Sequence, residues 1–226
     1  MDEVLISIQT LERVHCFNHI GNEGAIAIAQ ALQTNQILKE LYFSGNEIGD
    51  EGAIALAQAL QTNQTLEDLY IYADHIGNEG AIALAEALKT NKTLKRLYLL
   101  RNEIGDEGAI AIAQALQTNQ DLTILNLSQN KIGNEGAIAI ALALQTNQTL
   151  EELNIYDNLI GENSERALAF SLLINKSMRY LWSNNLILKT DDKDILKKRK
   201  QYQKLLRLLN STFLSDDVLS STILIK

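Results

Sequence analysis

Along most of the chain, hydrophobic and polar positions follow two periods in turn. Around Leu41 and Phe43, Leu69 and Ile71, and Leu97 and Leu99, apolar residues take every second position, the period of a strand with one buried face. After a short polar turn, Ala53, Leu56, Ala57 and Leu60 fall at i, i+3, i+4 and i+7, the stripe of an amphipathic helix. The pair of patterns recurs. Leu38, Leu66, Leu94, Leu122 and Leu150 each stand 28 residues apart and open five units, the last a worn copy. At the front, HIGNEGAIAIAQALQTNQ supplies a further helix behind a degenerate strand marked by Leu11, Val14 and Cys16. At the back, MRYLWSNNL begins one more strand. Asp50, Asn78, Asp106 and Asn134 stand where a helix wants an N-cap oxygen, with glutamate in the first turn. The recurrent QTN is expected to end each helix, its asparagine tolerating a left-handed turn. There is no proline, so Gly and Asn alone punctuate the units.

The pattern LxxLxLxxNxIGxEGAxAxAxAL resembles the leucine-rich repeat, and specifically its ribonuclease-inhibitor type with a helix in every turn. The resemblance covers roughly residues 11–188 and implies an α/β solenoid. This is a horseshoe with parallel strands on the concave face and helices on the convex face. Asn46, Asn102, Asn130 and Asn158 match the family's ladder position, where the side chain ties down the turn after the strand; Asp74 departs from it. The alanines suit such a stack, because small side chains let neighbouring helices approach and alanine has the best helix propensity. The expected organisation is a solenoid over 1–188, regular from 38 to 177, followed by a helical C-terminal cap and tail over 189–226. In that tail TDDKDILKKRKQYQKLLRLLN places acids early and bases late, as a helix macrodipole favours.

While the helices barely change between units, the strand positions facing the concavity change at almost every step. Six of the seven tyrosines and the only tryptophan fall there: Tyr42, Tyr70, Tyr72, Tyr98, Tyr156, Tyr180 and Trp182. Tyr and Trp offer large rigid contact area with a polar tip, which is why they dominate binding hot spots. Charge accompanies them. Lys95, Arg96 and Arg101 make a basic centre, with Glu67 and Asp68 before it and Glu151, Glu152 and Asp157 after it. Alternating sign of this kind selects a partner and a register more than it adds affinity. The expected partner-binding set is therefore Tyr42, Asp68, Tyr70, Tyr72, Arg96, Tyr98, Arg101, Glu152, Tyr156, Tyr180 and Trp182, taking a protein.

Charge and chemistry narrow the alternatives. The net charge of −8 is a split: residues 1–176 carry 10 Lys/Arg against 23 Asp/Glu (−13), and 177–226 carry 10 against 5 (+5). An acidic body argues against specific nucleic-acid binding. His15, His19 and His75 are too scattered for a metal site or triad, Cys16 holds a buried-leucine position, and no cofactor loop is present, so a non-enzyme is expected. Two further readings stay open. One is a small-GTPase-activating regulator using Arg101; the other is a membrane-docking adaptor using Lys197, Lys198, Arg199 and Lys200. The repeats also resemble those of bacteria living inside eukaryotic cells, and STFLSDDVLSSTILIK resembles the export signal of type IV secretion effectors. That resemblance implies virulence in a host–pathogen setting: an effector acting on a host eukaryotic protein, cytosolic at its site of action and exported without an N-terminal signal peptide. A monomer is expected. Asn63, Asn91, Asn126, Asn147 and Asn175 form glycosylation triplets, taken as by-products of the repeated loop and of a strand.

Overall fold

The computed structural model describes residues 9–17, 20–184 and 187–189. Strand and helix alternate through it: β1 (Arg13–Phe17), α1 (Gly21–Thr34), β2 (Glu40–Ser44), α2 (Gly49–Leu60), β3 (Asp68–Tyr72), α3 (Asn78–Thr90) and β4 (Arg96–Tyr98). Then come α4 (Asp106–Thr118), β5 (Ile124–Asn126), α5 (Asn134–Thr146), β6 (Glu152–Asn154), α6 (Glu162–Ile174), β7 (Tyr180–Trp182) and β8 (Ile187–Lys189). The strands pair in chain order to form one open sheet. β1 to β7 are parallel and β8 turns back antiparallel on β7. Register follows the 28-residue period: Leu41, Leu69, Leu97, Leu125, Leu153 and Leu181 are successive partners, and all are fully buried between sheet and helices. Each such leucine contributes roughly 1.5–3 kcal/mol by leaving water. This is the open α/β solenoid that the resemblance to the leucine-rich repeat implies, with strands and helices where the alternating periods place them. The expected helical cap and the basic cluster at 197–200 lie outside the described residues.

Two rows of asparagine run along the solenoid, and only one is the ladder read from the sequence. In that row, Asn102 donates to the carbonyls of Ile71 and Leu100 and accepts from the backbone N–H of Asp74 and Ile76. Asn130 and Asn158 repeat the arrangement one unit on each time. Asp74 accepts from the Asn46 N–H at 2.6 Å but lacks the amide donor of the asparagines, and its Oδ2 is buried without a partner.

The second row is the asparagine of QTN, and it corrects an expectation. Asn35, Asn91, Asn119, Asn147 and Asn175 follow their helices with φ between −65° and −72° and extended ψ, not in a left-handed turn. They are there for their side chains. Asn119 Nδ2 donates to the carbonyls of Leu88 and Asn91 in the preceding unit, while its Oδ1 accepts from the N–H of Asp121 and Leu122. Asn63, Asn91, Asn147 and Asn175 do the same. These four are buried with both amide hydrogens spent, so in the folded protein their glycosylation triplets cannot accept a sugar.

The helix starts correct a second expectation. Asn78, Asp106 and Asn134 are the first residues of their helices and Asp50 the second of its own, and none caps the helix it belongs to. Instead Asp50 Oδ1 accepts from the N–H of Gly77 and Gly80, at the head of the next helix, at 2.7 and 2.9 Å. Asn78 caps α4 and Asp106 caps α5 in the same way. The starts of α3 to α6 are thus satisfied by the unit before each. This close approach is what requires glycine at 80: a Cβ there would stand 2.7 Å from Asp50 Oδ1 and 2.9 Å from Ala53 Cβ. In the worn sixth helix the corresponding residue is Ser164, whose hydroxyl donates to Asn134 Oδ1 at 2.5 Å.

The concave face as a candidate binding surface

Because strand side chains alternate, the residues beside each buried leucine form columns across the concave face. In the column after the leucine, β1 to β4 carry His15, Tyr42, Tyr70 and Tyr98 in register. Their rings stack as one ladder, with centroids 4.2, 4.0 and 4.2 Å apart and planes within 12°. Burial raises the pKa of all three phenols, that of Tyr70 to about 12, so they remain neutral hydrogen-bonding groups at physiological pH. In the column before the leucine, Glu40 accepts from Arg13 and from the Tyr42 hydroxyl, both at 2.6 Å, and these bonds hold its carboxyl below the usual range. Asp68 is only 1% exposed and is gripped by Arg96 through two parallel bonds, Nε to Oδ1 at 2.5 Å and Nη2 to Oδ2. That fork raises the guanidinium pKa further above its ordinary value.

The second half of the face is built differently. Asn126 and Asn154 follow Tyr98 in its column, and each turns its Oδ1 along its own strand to accept from the N–H two residues on, of Ser128 and Tyr156. The aromatic column resumes only at Trp182, whose ring lies over Tyr180 at 5.4 Å. Between Tyr98 and Trp182 the face sinks into a hollow of about 170 Å³, floored by Ile124, Leu125, Asn126, Glu152 and Asn154. Tyr156 stands 50% exposed beside it.

The remaining predicted residues sit at the rim where the strands end. Arg101 has a left-handed backbone, φ 55°, and its N–H donates to the Ser128 carbonyl, extending the ladder one step past the strand. Its guanidinium donates to the Tyr72 hydroxyl at 2.8 Å and lies 5.8 Å from that ring's centroid. The alternating charges pair largely among themselves: Lys39 with Glu67, Lys95 with Asp121, Arg96 with Asp68 and Arg179 with Glu151. Asp68, buried and held by Arg96, therefore positions that arginine and offers no surface of its own. The hollow itself is not singled out by the sequence, although the run Tyr, Asn, Asn, Trp down one column marks where the ladder breaks.

Among the described residues no group of three His, Cys, Asp or Glu side chains could hold a metal ion, and no helix is long and apolar enough to cross a membrane. Cys16 is buried beneath the first strand, which pushes its thiol up to about 12, the value of an inert core residue.

Residues 73–189, just over half of the chain, match the family model of the TMOD/LMOD leucine-rich domain. The chain belongs to that family. A general leucine-rich repeat model matches residues 17–29 and 34–57, in the part of the domain before it. Among solved structures, the leucine-rich domain is similar to leiomodin-1 actin-binding site 2, with 25% identity and a TM-score of 0.56. That alignment covers 72% of this chain and 95% of the other. The tropomodulin C-terminal domain of Caenorhabditis elegans shares the fold at 16% identity and a TM-score of 0.55, over 82% and 97% of the two chains. No curated protein matches the leucine-rich domain by sequence.

Proposed function

We propose that the leucine-rich domain is a non-catalytic module that binds one partner protein across its concave face, and that the partner is actin or a protein presenting a similar surface. The observation carrying this reading is the unpaired second half of the face. Tyr98, Glu152 and Trp182 line a hollow there, Tyr180 stacks against Trp182 and Tyr156 is half exposed, on a sheet whose first half is already satisfied internally. The 25% identity to an actin-binding site of leiomodin-1 supports the choice of partner. Exposed aromatic residues around a small depression are the arrangement from which interface hot spots are built.

The test is direct binding of the purified chain to monomeric and filamentous actin, by sedimentation and by titration calorimetry. Tyr156→Ala/Trp182→Ala is expected to weaken binding at least tenfold while Tyr42→Phe leaves it unchanged. Absence of binding to either form of actin would remove actin as the partner. Equal binding by the double variant would remove the concave face.

A eukaryotic partner is also what the effector reading requires. Delivery by type IV secretion rests on the composition of residues 211–226 alone, and a translocation reporter fused to the chain with and without that stretch tests it.

A further inference from the structure

Three carboxylates occupy the column before the leucine, and two have a cation beside them: Glu40 has Arg13 and Asp68 has Arg96. In the second half the pattern is broken. Glu152 has Ile124 on one side and Tyr180 on the other, and among the described residues no cation pairs with it. Glu152 is half-buried and lines the hollow. The walls are aromatic. Tyr98 has one ring face against Tyr70, leaving the other toward the hollow, and Trp182 closes the far side three strands away. At ~4.8 Å per strand the two rings stand about 14 Å apart, with only the folded-down side chains of Asn126 and Asn154 between them.

The space is the size of one side chain. At about 170 Å³ it falls below the ~300–1,000 Å³ typical of sites for drug-sized ligands. A planar cation fits its chemistry best. A guanidinium can lie on an aromatic face while its donors meet a carboxylate in a fork, whereas an ammonium is a more strongly hydrated point charge. The protein already shows the solution in miniature, since Arg96 on β4 meets Asp68 on β3 in that fork, earlier in the same column. We infer that the hollow between Tyr98 and Trp182 is a receptor for an arginine side chain of the partner protein, with Glu152 as its counter-ion. The inference rests on the concave-face reading and names what that face recognises. The acidic balance of residues 1–176, −13, would draw such a cation toward the face.

Trp182 is the only tryptophan, so its fluorescence reports the hollow without labelling. The experiment titrates the full chain with N-acetyl-arginine amide at constant ionic strength, and in parallel with N-acetyl-lysine amide. A saturable change with arginine is expected, with a Kd on the order of 1–10 mM for a ligand of this size. The lysine probe should be at least about threefold weaker. Glu152→Gln should weaken arginine about tenfold. Ile124→Arg, which sets a guanidinium beside Glu152 as Arg96 stands beside Asp68, should abolish the response even if the Gln variant folds poorly. No saturation with arginine, an equal response to lysine, or an unchanged response in a folded Ile124→Arg variant would each overturn the inference. Failure here with actin binding intact would remove only the arginine receptor. An arginine response without actin binding would remove only actin.

Discussion

The two halves of the concave face share one backbone and one row of buried leucines, yet their surfaces have opposite character. From β1 to β4 every large polar group has a neighbour to satisfy it: rings stack on rings, Arg13 and Tyr42 hold Glu40, and Arg96 holds Asp68. From β5 to β7 the same positions carry Ile124, Glu152, Asn126, Asn154 and Trp182, and the face has an open hollow and an acid, Glu152, with no cation beside it among the described residues. In a solenoid each unit touches only its neighbours, so a ladder of like residues stabilises the stack and a break in the ladder exposes a surface. The aromatic ladder therefore belongs to the stack, and its gap is where the proposed binding surface lies.

The largest expected effect comes from cutting the molecule at the boundary between the halves. Asn119 sits in the turn between α4 and β5 and makes four hydrogen bonds, two to carbonyls of the preceding unit and two from its own turn. Asn119→Ala strands those groups in a buried turn and should cost about 4 kcal/mol. Urea unfolding followed by circular dichroism should show a lower midpoint. If the halves uncouple, a second transition appears. A loss below about 1 kcal/mol would mean that the buried asparagine row does not bind the units together.

Next come the two carboxylates that the comparison sets against each other. Arg96→Met leaves Asp68 buried and unpaired, at a cost of about 2 kcal/mol after allowance for the 42% exposure of the arginine side chain. Glu152→Gln removes no pair and should change stability by less than about 0.5 kcal/mol. Equal losses in thermal melts of the two variants would show that the fold depends on Glu152 no less than on Asp68.

These contrasts show how much could be read from residues alone. Strand and helix periods, the buried leucines and the columns facing the concavity are local properties, and a 28-residue copy repeats each signal until it is unmistakable. What could not be read is whatever passes between copies. Asp50 stands at the correct offset to cap its own helix, and only stacking reveals that it caps the next one. The QTN asparagine suits a left-handed turn by propensity, but its amide is needed by carbonyls about 30 residues earlier. Asp68 and Arg96 read as two separate charges on the exposed face; stacking makes them partners in register, joined by a forked ion pair.

Asp74 is the one break in the other asparagine row, in the first half of the molecule. Burial holds its carboxyl above the usual range. The folded chain therefore keeps this proton more tightly than the unfolded chain. Below the ordinary carboxylate pKa both states are protonated and no penalty exists. As pH rises through that value the unfolded chain ionises first, and stability is lost until the folded pKa is passed. Asp74→Asn removes the titration and supplies the amide donor that Asn102 and Asn130 use one and two units on. It should raise stability at pH 7 by about 1–2 kcal/mol. Its advantage over the parent in thermal melts should shrink as the pH is lowered toward 4. An advantage that is constant with pH would mean that Asp74 is ionised in both states throughout.

The smallest effect compares the turns themselves. Ala73 in the first half and Gln129 in the second both have left-handed backbones, φ 56°, at the position where the unit before Ala73 has Gly45 at φ 62°. Glycine relieves the left-handed strain, ~1–2 kcal/mol, but loses ~0.5–1 kcal/mol of backbone entropy, so the net gain should be a few tenths to about 1 kcal/mol. Ala73→Gly removes only a methyl and measures the backbone alone. Gln129→Gly also removes the amide that reaches Asp157 at 3.3 Å across exposed surface, a contact of little energy. The two variants should thus shift the melting temperature upward by nearly the same amount. A clearly smaller gain at 129 would show that the second half, like the first, uses its rim side chains to hold the turns. The hollow would then be the only part of that half that the fold does not use.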